Sequence, residues 1–479
     1  MSRQRPPSVR LPYYLPERFR DLVPARTPIA EADPKVRART DEEVLGSFDP
    51  LQAIYEAQRC LYCHEPSCVT ACPLGQDCRE YILEISRGNF EQAKAIILRD
   101  NPLASTLARV CYHYCEASCV CGVRGDPIAI RHLKRAALEF GGADIPYSRG
   151  RRRTGSVGIV GGGPAGLMAA WWLARLGFPV RVYEASDHLG GLATMTIPQY
   201  RLPRAAFQTD LDRMRELGIE FLFGMRLGQN LSLESLRASH DAVLLAIGTH
   251  APTLPRIPGL DLPGVLSALD FLKQVHRGSG EPVGERVAVI GGGDVAMDCA
   301  RVALRRGARE VTIVYRRSRE EMPASAEEVH ETMDENVRFL FLTSPVRFLG
   351  TGRVETLECQ SMVLGEPDAS GRRRPVAVEG SNYPLAVDTV ILALGQNADL
   401  KDLGLERLGV ATDSEGVAIG VDGGPRTTLP DVFVAGGSSV VAAMKAGREA
   451  AIEIERILAA PPREVAAPTA PSEIAAASP

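Results

Sequence analysis

Nine of the chain's eleven cysteines fall between Cys60 and Cys121. Their spacing is Cys60-x2-Cys63-x4-Cys68-x3-Cys72-Pro73, followed by Cys111-x3-Cys115-x3-Cys119. Short loops of this kind can wrap several thiolates around one cubane, and a run that closes on Cys-Pro suits iron–sulfur ligation. Structural zinc is the rival chemistry, because Cys-x2-Cys pairs also bind zinc, but zinc sites pair one doublet with a second, distant doublet. Here four cysteines crowd together before Pro73, which favours [4Fe–4S]. Disulfides would need an oxidising compartment. The N-terminal MSRQRPPSVRLPYYLPERF has no apolar run of a secretory leader, so reduced thiols in the cytoplasm are expected.

Two glycine turns carry a second chemistry. Gly161-Gly162-Gly163-Pro164-Ala165-Gly166 follows a β-branched run at 156–160 and opens a helical stretch at 167–176. Gly291-Gly292-Gly293-Asp294-Val295-Ala296 repeats the grammar after 286–290 and before 296–306. In such a turn the first glycine permits the bend and the second admits a pyrophosphate. The third packs helix on strand, and free N–H groups at the helix N-terminus hold the phosphates. Gly161, Gly163 and Gly166 take these places in the first turn, and Gly291, Gly293 and Ala296 in the second. Glu184 ends the strand after the first turn. Its carboxylate can accept ribose hydroxyls and would repel a 2′-phosphate, which suits the adenosine of FAD or NAD. The strand after the second turn ends in Tyr315-Arg316-Arg317 with no carboxylate. Two guanidiniums there suit the 2′-phosphate of NADPH; the rival reading pairs them with Glu320 and Glu321.

The elements that must position these residues divide the chain. With 479 residues there is room for about three domains. Hydrophobic content of 45% and charged content of 24% are those of a globular chain, and a net charge of −4 argues for no nucleic-acid surface. No apolar run reaches the roughly 18 residues of a membrane span. Residues 1–45 form a Pro- and Arg-rich extension. Residues 46–150 read as helices over 79–87, 90–99 and 128–140 with no β alternation, ending in an Arg-rich linker. The two βαβ units follow, with strands at 179–184 and 310–315 completing them. Segments 244–249 and 391–396 are apolar strands ending in glycine turns and read as crossings between the two units. The Ala/Pro/Glu/Ser-rich tail at 459–479 reads as disordered. Cys299 and Cys359 lie outside the cysteine-rich region, and Cys299 reads as core.

The stretches RCLYCHEPSCVTACPLG, RVCYHYCEASC, VGIVGGGPAGL, GGLATMTIPQYRLP, VAVIGGGDVAMDCARVALRRGA and VTIVYRRSREEMPAS run in order through most of the chain. In this combination the chain resembles the small (beta) subunit of NADPH-dependent glutamate synthase and the electron-entry half of dihydropyrimidine dehydrogenase. The resemblance implies an α/β fold with two Rossmann-like dinucleotide-binding domains preceded by a small α-helical iron–sulfur domain. FAD would occupy 154–270 and 386–458, and NADPH 271–385. It implies FAD, NADPH and two [4Fe–4S] clusters, with Gly191 and Gly437 added to the cofactor contacts. One cluster would take Cys60, Cys63 and Cys68; the other would take Cys72, Cys111, Cys115 and Cys119. Seven cysteines leave one iron without a ligand. Relatives place a Gln or Glu in the helix after the second cysteine group, where this chain has Lys134, and a protonated lysine is no ligand. Cys78, Cys121 and His132 are the candidates for that place. The family's Gly-Asp near the end of the FAD domain is also missing. Ala435-Gly436-Gly437-Ser438-Ser439 stands there, with Ser438 or Ser439 as substitutes and a helix from about Val440 aimed at the flavin.

The function implied is electron transfer from NADPH through FAD and the clusters to a partner, with no protein acid or base required. The expected partner is a large catalytic subunit of the glutamate synthase alpha type, making a hetero-oligomer without nucleic acid or membrane. The chain shows no amidotransferase and no FMN-binding barrel, so it cannot make glutamate alone. A pyrimidine-reducing partner, or a ferredoxin-like acceptor served by a stand-alone oxidoreductase, are the alternatives.

Overall fold

A computed structural model describes residues 25–459, apart from 281, 369–370, 399–404, 406–409 and 412–419. Residues 1–24 of the extension and 460–479 of the tail lie outside the described residues.

The cysteine-rich region is helical, as its patterning implies. The larger helices are Pro50–Gln58, Cys78–Ser86, Phe90–Asp100 and Ile130–Phe140. Pro50–Gln58 starts on a capping box between Asp49 and Gln52 with proline in its first turn. Cys78–Ser86 starts on Asp77, whose side chain accepts from the Glu80 N–H. It buries Cys78, Tyr81, Ile82 and Ile85, one face at helical spacing. The cysteine loops are the connections between these helices.

Two parallel sheets follow. The first runs Val432–Val434, Ala242–Leu245, Val157–Val160, Val180–Tyr183, Glu220–Leu222. The second runs Val265–Ser267, Thr389–Leu392, Arg286–Ile290, Glu310–Val314, Arg338–Leu340. Each has its glycine turn between a central strand and a twelve-residue helix, Pro164–Arg175 and Asp294–Arg305. The expected α/β architecture is therefore present twice. The segments at 244–249 and 391–396 lead into Ala251–Pro252 and Gln396–Asn397, which pair antiparallel as the chain passes between the sheets. Val265–Ser267 and Thr389–Leu392 both pair within the second sheet. That unit therefore reaches beyond the 271–385 drawn from the sequence. An antiparallel sheet of Thr343–Leu349, Thr356–Pro367 and Arg373–Ala386 is inserted before its return strand.

The helical region and the first sheet share one core. Leu107, Ile130 and Leu133 are buried in the same cluster as Met168, Trp171 and Met444. The linker joins them too: Tyr147 is buried with its ring edge-on to Trp171 at 5.4 Å, while Arg151 and Arg152 stay exposed. The second unit has its own core around Val287, Val289, Met297 and Ile313. It is tied to the rest by a buried charge network. Arg301 meets Glu328, Glu331 and Glu335 at 2.9, 2.8 and 2.7 Å. Arg201 meets Asp298 at 2.9 Å, Arg305 meets Glu335 at 2.7 Å, and Arg37 from the N-terminal segment reaches Glu335 at 3.4 Å. Arg301 and Arg305 also lie over the Tyr200 ring at 4.6 and 3.9 Å.

Candidate functional site

The cysteines sort into two groups, but not along the division implied by the resemblance. Cys60, Cys63, Cys68 and Cys119 line one pocket, with Cys121, Arg79 and Ile82 beside them. Cys119 repels the developing charge on Cys60, Cys63 and Cys68 alike. It therefore belongs with the first three cysteines and not with Cys72, Cys111 and Cys115. The cause is tertiary. The Ser67 hydroxyl donates to the Ser118 carbonyl at 2.6 Å and fixes the Cys119 loop against the Cys68 loop. The first group thus has four sulfurs, and Cys72, Cys111 and Cys115 are left as a group of three.

Cys72, Cys111 and Cys115 gather around Lys134, which also has Cys78 among its charged neighbours. His132 is not there. Its ring packs on Phe48 at 5.8 Å, and burial together with Arg131, Arg26 and Arg135 drives its pKa down to about 2. Cys121 is not there either; its thiol donates to the Arg59 carbonyl at 3.7 Å, beside Cys119. Cys299 and Cys359 are buried in the second unit, as core thiols.

The donor set fits iron–sulfur chemistry. Burial pushes the Cys60 thiol up to about 12 and raises Cys63 and Cys111. Several thiolates sharing a desolvated site repel one another unless a cation core offsets their charge. Buried acids shape the loops that carry them. Glu56 accepts from Thr27 N, Arg59 Nη1 and Ala129 N at 2.7–2.8 Å. Glu116 accepts from Arg131 N at 2.8 Å and from Arg26 Nη2 at 2.9 Å. Asp210, on the Arg204–Met214 helix of the first dinucleotide unit, accepts from Ser105 N at 2.9 Å and from Thr106 N at 2.8 Å. It thereby sets the start of the short helix that ends at Cys111. Sequence reading missed all three acids, because their partners are distant in the chain.

At the first turn, Gly161 has φ +108°, and a Cβ on it would lie 2.3 Å from the Ala246 carbonyl oxygen. A Cβ on Gly163 would meet nothing closer than Gly191 Cα at 3.9 Å. That face is open, as a pyrophosphate cradle requires. Gly191 belongs to a loop laid over the turn, where the Gly190 N–H donates to the Gly162 carbonyl at 2.8 Å. Gly166 is buried on the helix that follows. Glu184 is buried at the strand end and accepts from Gly162 N at 2.7 Å and from Ser186 N at 2.7 Å. The donor set suits an adenosine ribose beside it. The second turn has the same open face: a Cβ on Gly293 would meet only Pro323 Cγ at 3.9 Å. Gly291 backs onto Ala393, and Ala296 is fully buried.

The two arginines separate. Arg316 is exposed and forms no ion pair among the described residues. Arg317 is 5% exposed; it meets Asp368 at 2.6 Å and donates to the Arg373 carbonyl at 2.8 Å. Neither pairs with Glu320 or Glu321; Glu321 instead accepts from the Ser318 N–H at 3.2 Å.

The glycine-serine loop ends on Ser439, whose hydroxyl caps Val440–Leu458 by accepting from Ala442 N at 3.3 Å. Ser438 and Gly437 remain exposed. The same helix reaches the cysteine region, since Arg448 donates to the Leu74 carbonyl, two residues past Cys72, at 2.5 Å. The second turn is also tied there. The Tyr112 hydroxyl, next to Cys111, donates to Asp294 at 2.5 Å.

Comparison with known proteins places a dinucleotide-binding family and an iron–sulfur family over these two regions. Residues 155–451 match the pyridine nucleotide-disulphide oxidoreductase family, and residues 37–143 match dihydropyrimidine dehydrogenase domain II, 4Fe-4S cluster. The beta subunit of the NADP(+)-dependent formate dehydrogenase of Moorella thermoacetica is 38% identical over 82% of this chain and 60% of its own length. The beta subunit of the NADPH-Fe(3+) oxidoreductase of Geobacter sulfurreducens is 42% identical over 70% of this chain and 51% of its own length. The chain thus spans about half to three fifths of these two relatives. The glutamate synthase [NADPH] small chain of Escherichia coli is 34% identical over 87% of this chain and 94% of its own length. Among the described residues no helix is long and apolar enough to cross a membrane.

Proposed function

This chain belongs to the pyridine nucleotide-disulphide oxidoreductase family, and from that premise we propose that it is the NADPH-oxidising electron-transfer subunit of a larger enzyme. The observation that carries the reading is the single core into which the cysteine groups and the first dinucleotide turn pack. Redox groups held on one rigid body keep fixed separations.

FAD would be held by Gly161, Gly163 and Gly166 along its pyrophosphate, by Glu184 at its ribose, and by the Gly191 and Gly437 loops around it. NADPH would be held by Gly291, Gly293 and Ala296, with Arg316 at its 2′-phosphate. The cysteine groups would hold two [4Fe–4S] clusters. When bound, the flavin accepts a hydride from NADPH and the clusters carry electrons onward singly. The chain's own residues orient and exclude. Glu184 is fixed by two backbone N–H groups before any ligand arrives, so it costs little to organise. The N-terminus of Val440–Leu458, capped by Ser439, presents a partial positive charge, which would stabilise an anionic reduced flavin if held beside it.

The arginine pair gives a test. Arg316→Ala is expected to lower the kcat/KM ratio of NADPH over NADH by roughly 10- to 100-fold, the value of a lost charge-assisted contact. Arg317→Ala is expected to move that ratio little and to lower the melting temperature, because its partner is Asp368. Equal ratios in wild type and Arg316→Ala would sink the assignment. The activity itself is tested by NADPH-driven reduction of an artificial dye.

The proposed partner is a large catalytic subunit of the glutamate synthase alpha type, supported by a small chain that aligns over 94% of its length. A second reading, with a different catalytic subunit or a ferredoxin-like acceptor, is favoured by the 42% and 38% identity to beta subunits of other oxidoreductases. Native purification with mass spectrometry of co-eluting chains separates the two; a glutaminase-containing chain that never associates rules out the first. A cytoplasmic setting belongs to the same reading, because the cysteines that would hold the clusters must stay reduced, and all eleven are free thiols.

A further inference from the structure

The second cysteine group has three sulfurs of its own, Cys72, Cys111 and Cys115, and a fourth place to fill. The following inference rests on the two-cluster reading above. Lys134 occupies the helix from which relatives are expected to supply the fourth ligand. It is 7% exposed and has no carboxylate partner among the described residues. Its charged neighbours are Cys111, Cys72, Cys78 and Cys115. An ammonium has no lone pair to give iron, so beside several thiolates it serves as a counter-charge.

A fourth sulfur is already present. Cys78 is the first residue of Cys78–Ser86 and is 2% exposed. Its thiol lies within hydrogen-bonding reach of Cys115 and Cys68. It sits between the two groups, donating to the Cys68 carbonyl at 3.9 Å, but it does not line the first group's pocket, whose four places Cys60, Cys63, Cys68 and Cys119 already fill. The sulfur is not alone in facing this place. Tyr81, one turn further along the same helix, is 0% exposed, and its hydroxyl meets no oxygen or nitrogen acceptor among the described residues but lies against the Cys78 sulfur. The charged groups around that hydroxyl are Cys78, Cys115 and Cys72. A buried hydroxyl without an acceptor is costly, and thiolate or sulfide sulfur would supply one. The first turn of a helix also favours a thiolate over a thiol.

We propose that Cys78 is the fourth ligand of the second [4Fe–4S] cluster, with Lys134 as its ammonium counter-charge and Tyr81 as a hydroxyl donor to its sulfur. Binding there replaces the Cys78 thiol proton by an Fe–S bond, and the proton leaves to solvent. The cluster then carries four thiolates where an amide ligand would leave three, and Lys134 offsets the added negative charge.

The test uses the full chain, purified without oxygen, with iron and sulfide counts and EPR as readouts. Wild type is expected to hold about eight irons per chain. Cys78→Ala is expected to lose about one iron and, after mild oxidation, to show a three-iron EPR signal while the first cluster's signal is unchanged. Cys78→Ser, which keeps an oxygen ligand, is expected to retain more iron than Cys78→Ala. Adding Lys134→Gln to Cys78→Ala is expected to restore a four-iron cluster, and Lys134→Gln alone to keep its iron at a lower midpoint potential. Wild-type iron and an unchanged spectrum in Cys78→Ala would overturn the Cys78 assignment and leave two clusters standing. About four irons per wild-type chain would remove both readings.

Discussion

Arg301→Ala is expected to destabilise the second dinucleotide unit by about 3–5 kcal/mol, the usual cost of leaving buried charges unpaired. Arg301 is fully buried and holds Glu328, Glu331 and Glu335 within 2.9 Å. Burial already pushes Glu331 up to about 7, against the pull of Arg301 itself. Removing the guanidinium leaves buried Glu331 without its cation beside Glu328 and Glu335, which keep Arg201 and Arg305, and takes one of two guanidiniums from the Tyr200 ring. The damage would reach the site, because Arg301 lies on Asp294–Arg305, the helix that opens at the second glycine turn. Thermal unfolding measured on Arg301→Ala and Arg306→Ala checks this. Arg306 is exposed, with Asp41 at 3.7 Å, and its loss is expected to change stability by less than about 1 kcal/mol. Equal effects from the two variants would show that the buried network does not stabilise the unit.

Gly163→Ala is expected to weaken flavin binding by about 3 kcal/mol, roughly a hundredfold, while leaving iron content intact. The added methyl fits the empty turn, since its nearest neighbour is 3.9 Å away. The space it fills is the approach of the pyrophosphate. The same change at Gly293 is expected to leave flavin bound and raise the Kd for NADPH by a similar factor, because that turn is open in the same way. Flavin content after gel filtration and NADPH binding by calorimetry measure the two effects separately. Flavin lost from Gly293→Ala but kept by Gly163→Ala would reverse the assignment of the two turns.

Much of the site was legible because it is local. A strand, a glycine turn and a helix follow one another in sequence, so Gly161, Gly163 and Glu184 could be placed without knowing the fold. What failed depends on contacts between distant segments. The spacing of Cys119 says nothing about which cysteines it joins; the Ser67–Ser118 hydrogen bond decides that. Thr389–Leu392 is a short apolar run, and no such run states which sheet it enters; its pairing with Arg286–Ile290 does. Asp210 acts on a helix about one hundred residues earlier in the chain. The separate fates of Arg316 and Arg317 are not written in their neighbourhood either. Both lie in a bend beyond the strand end at Val314, where no alternation applies; contacts of Arg317 with Asp368 and the Arg373 carbonyl, far along the chain, turn it inward.

The most direct measurement of the electron path is an anaerobic NADPH titration of the purified chain, followed by absorbance for flavin and EPR for iron–sulfur centres. If NADPH feeds the cysteine-bound clusters through flavin, flavin absorbance falls on adding NADPH and a four-iron EPR signal appears with no other reductant. Flavin bleached by excess NADPH in a sample that stays EPR-silent, yet whose clusters dithionite reduces, would contradict that path.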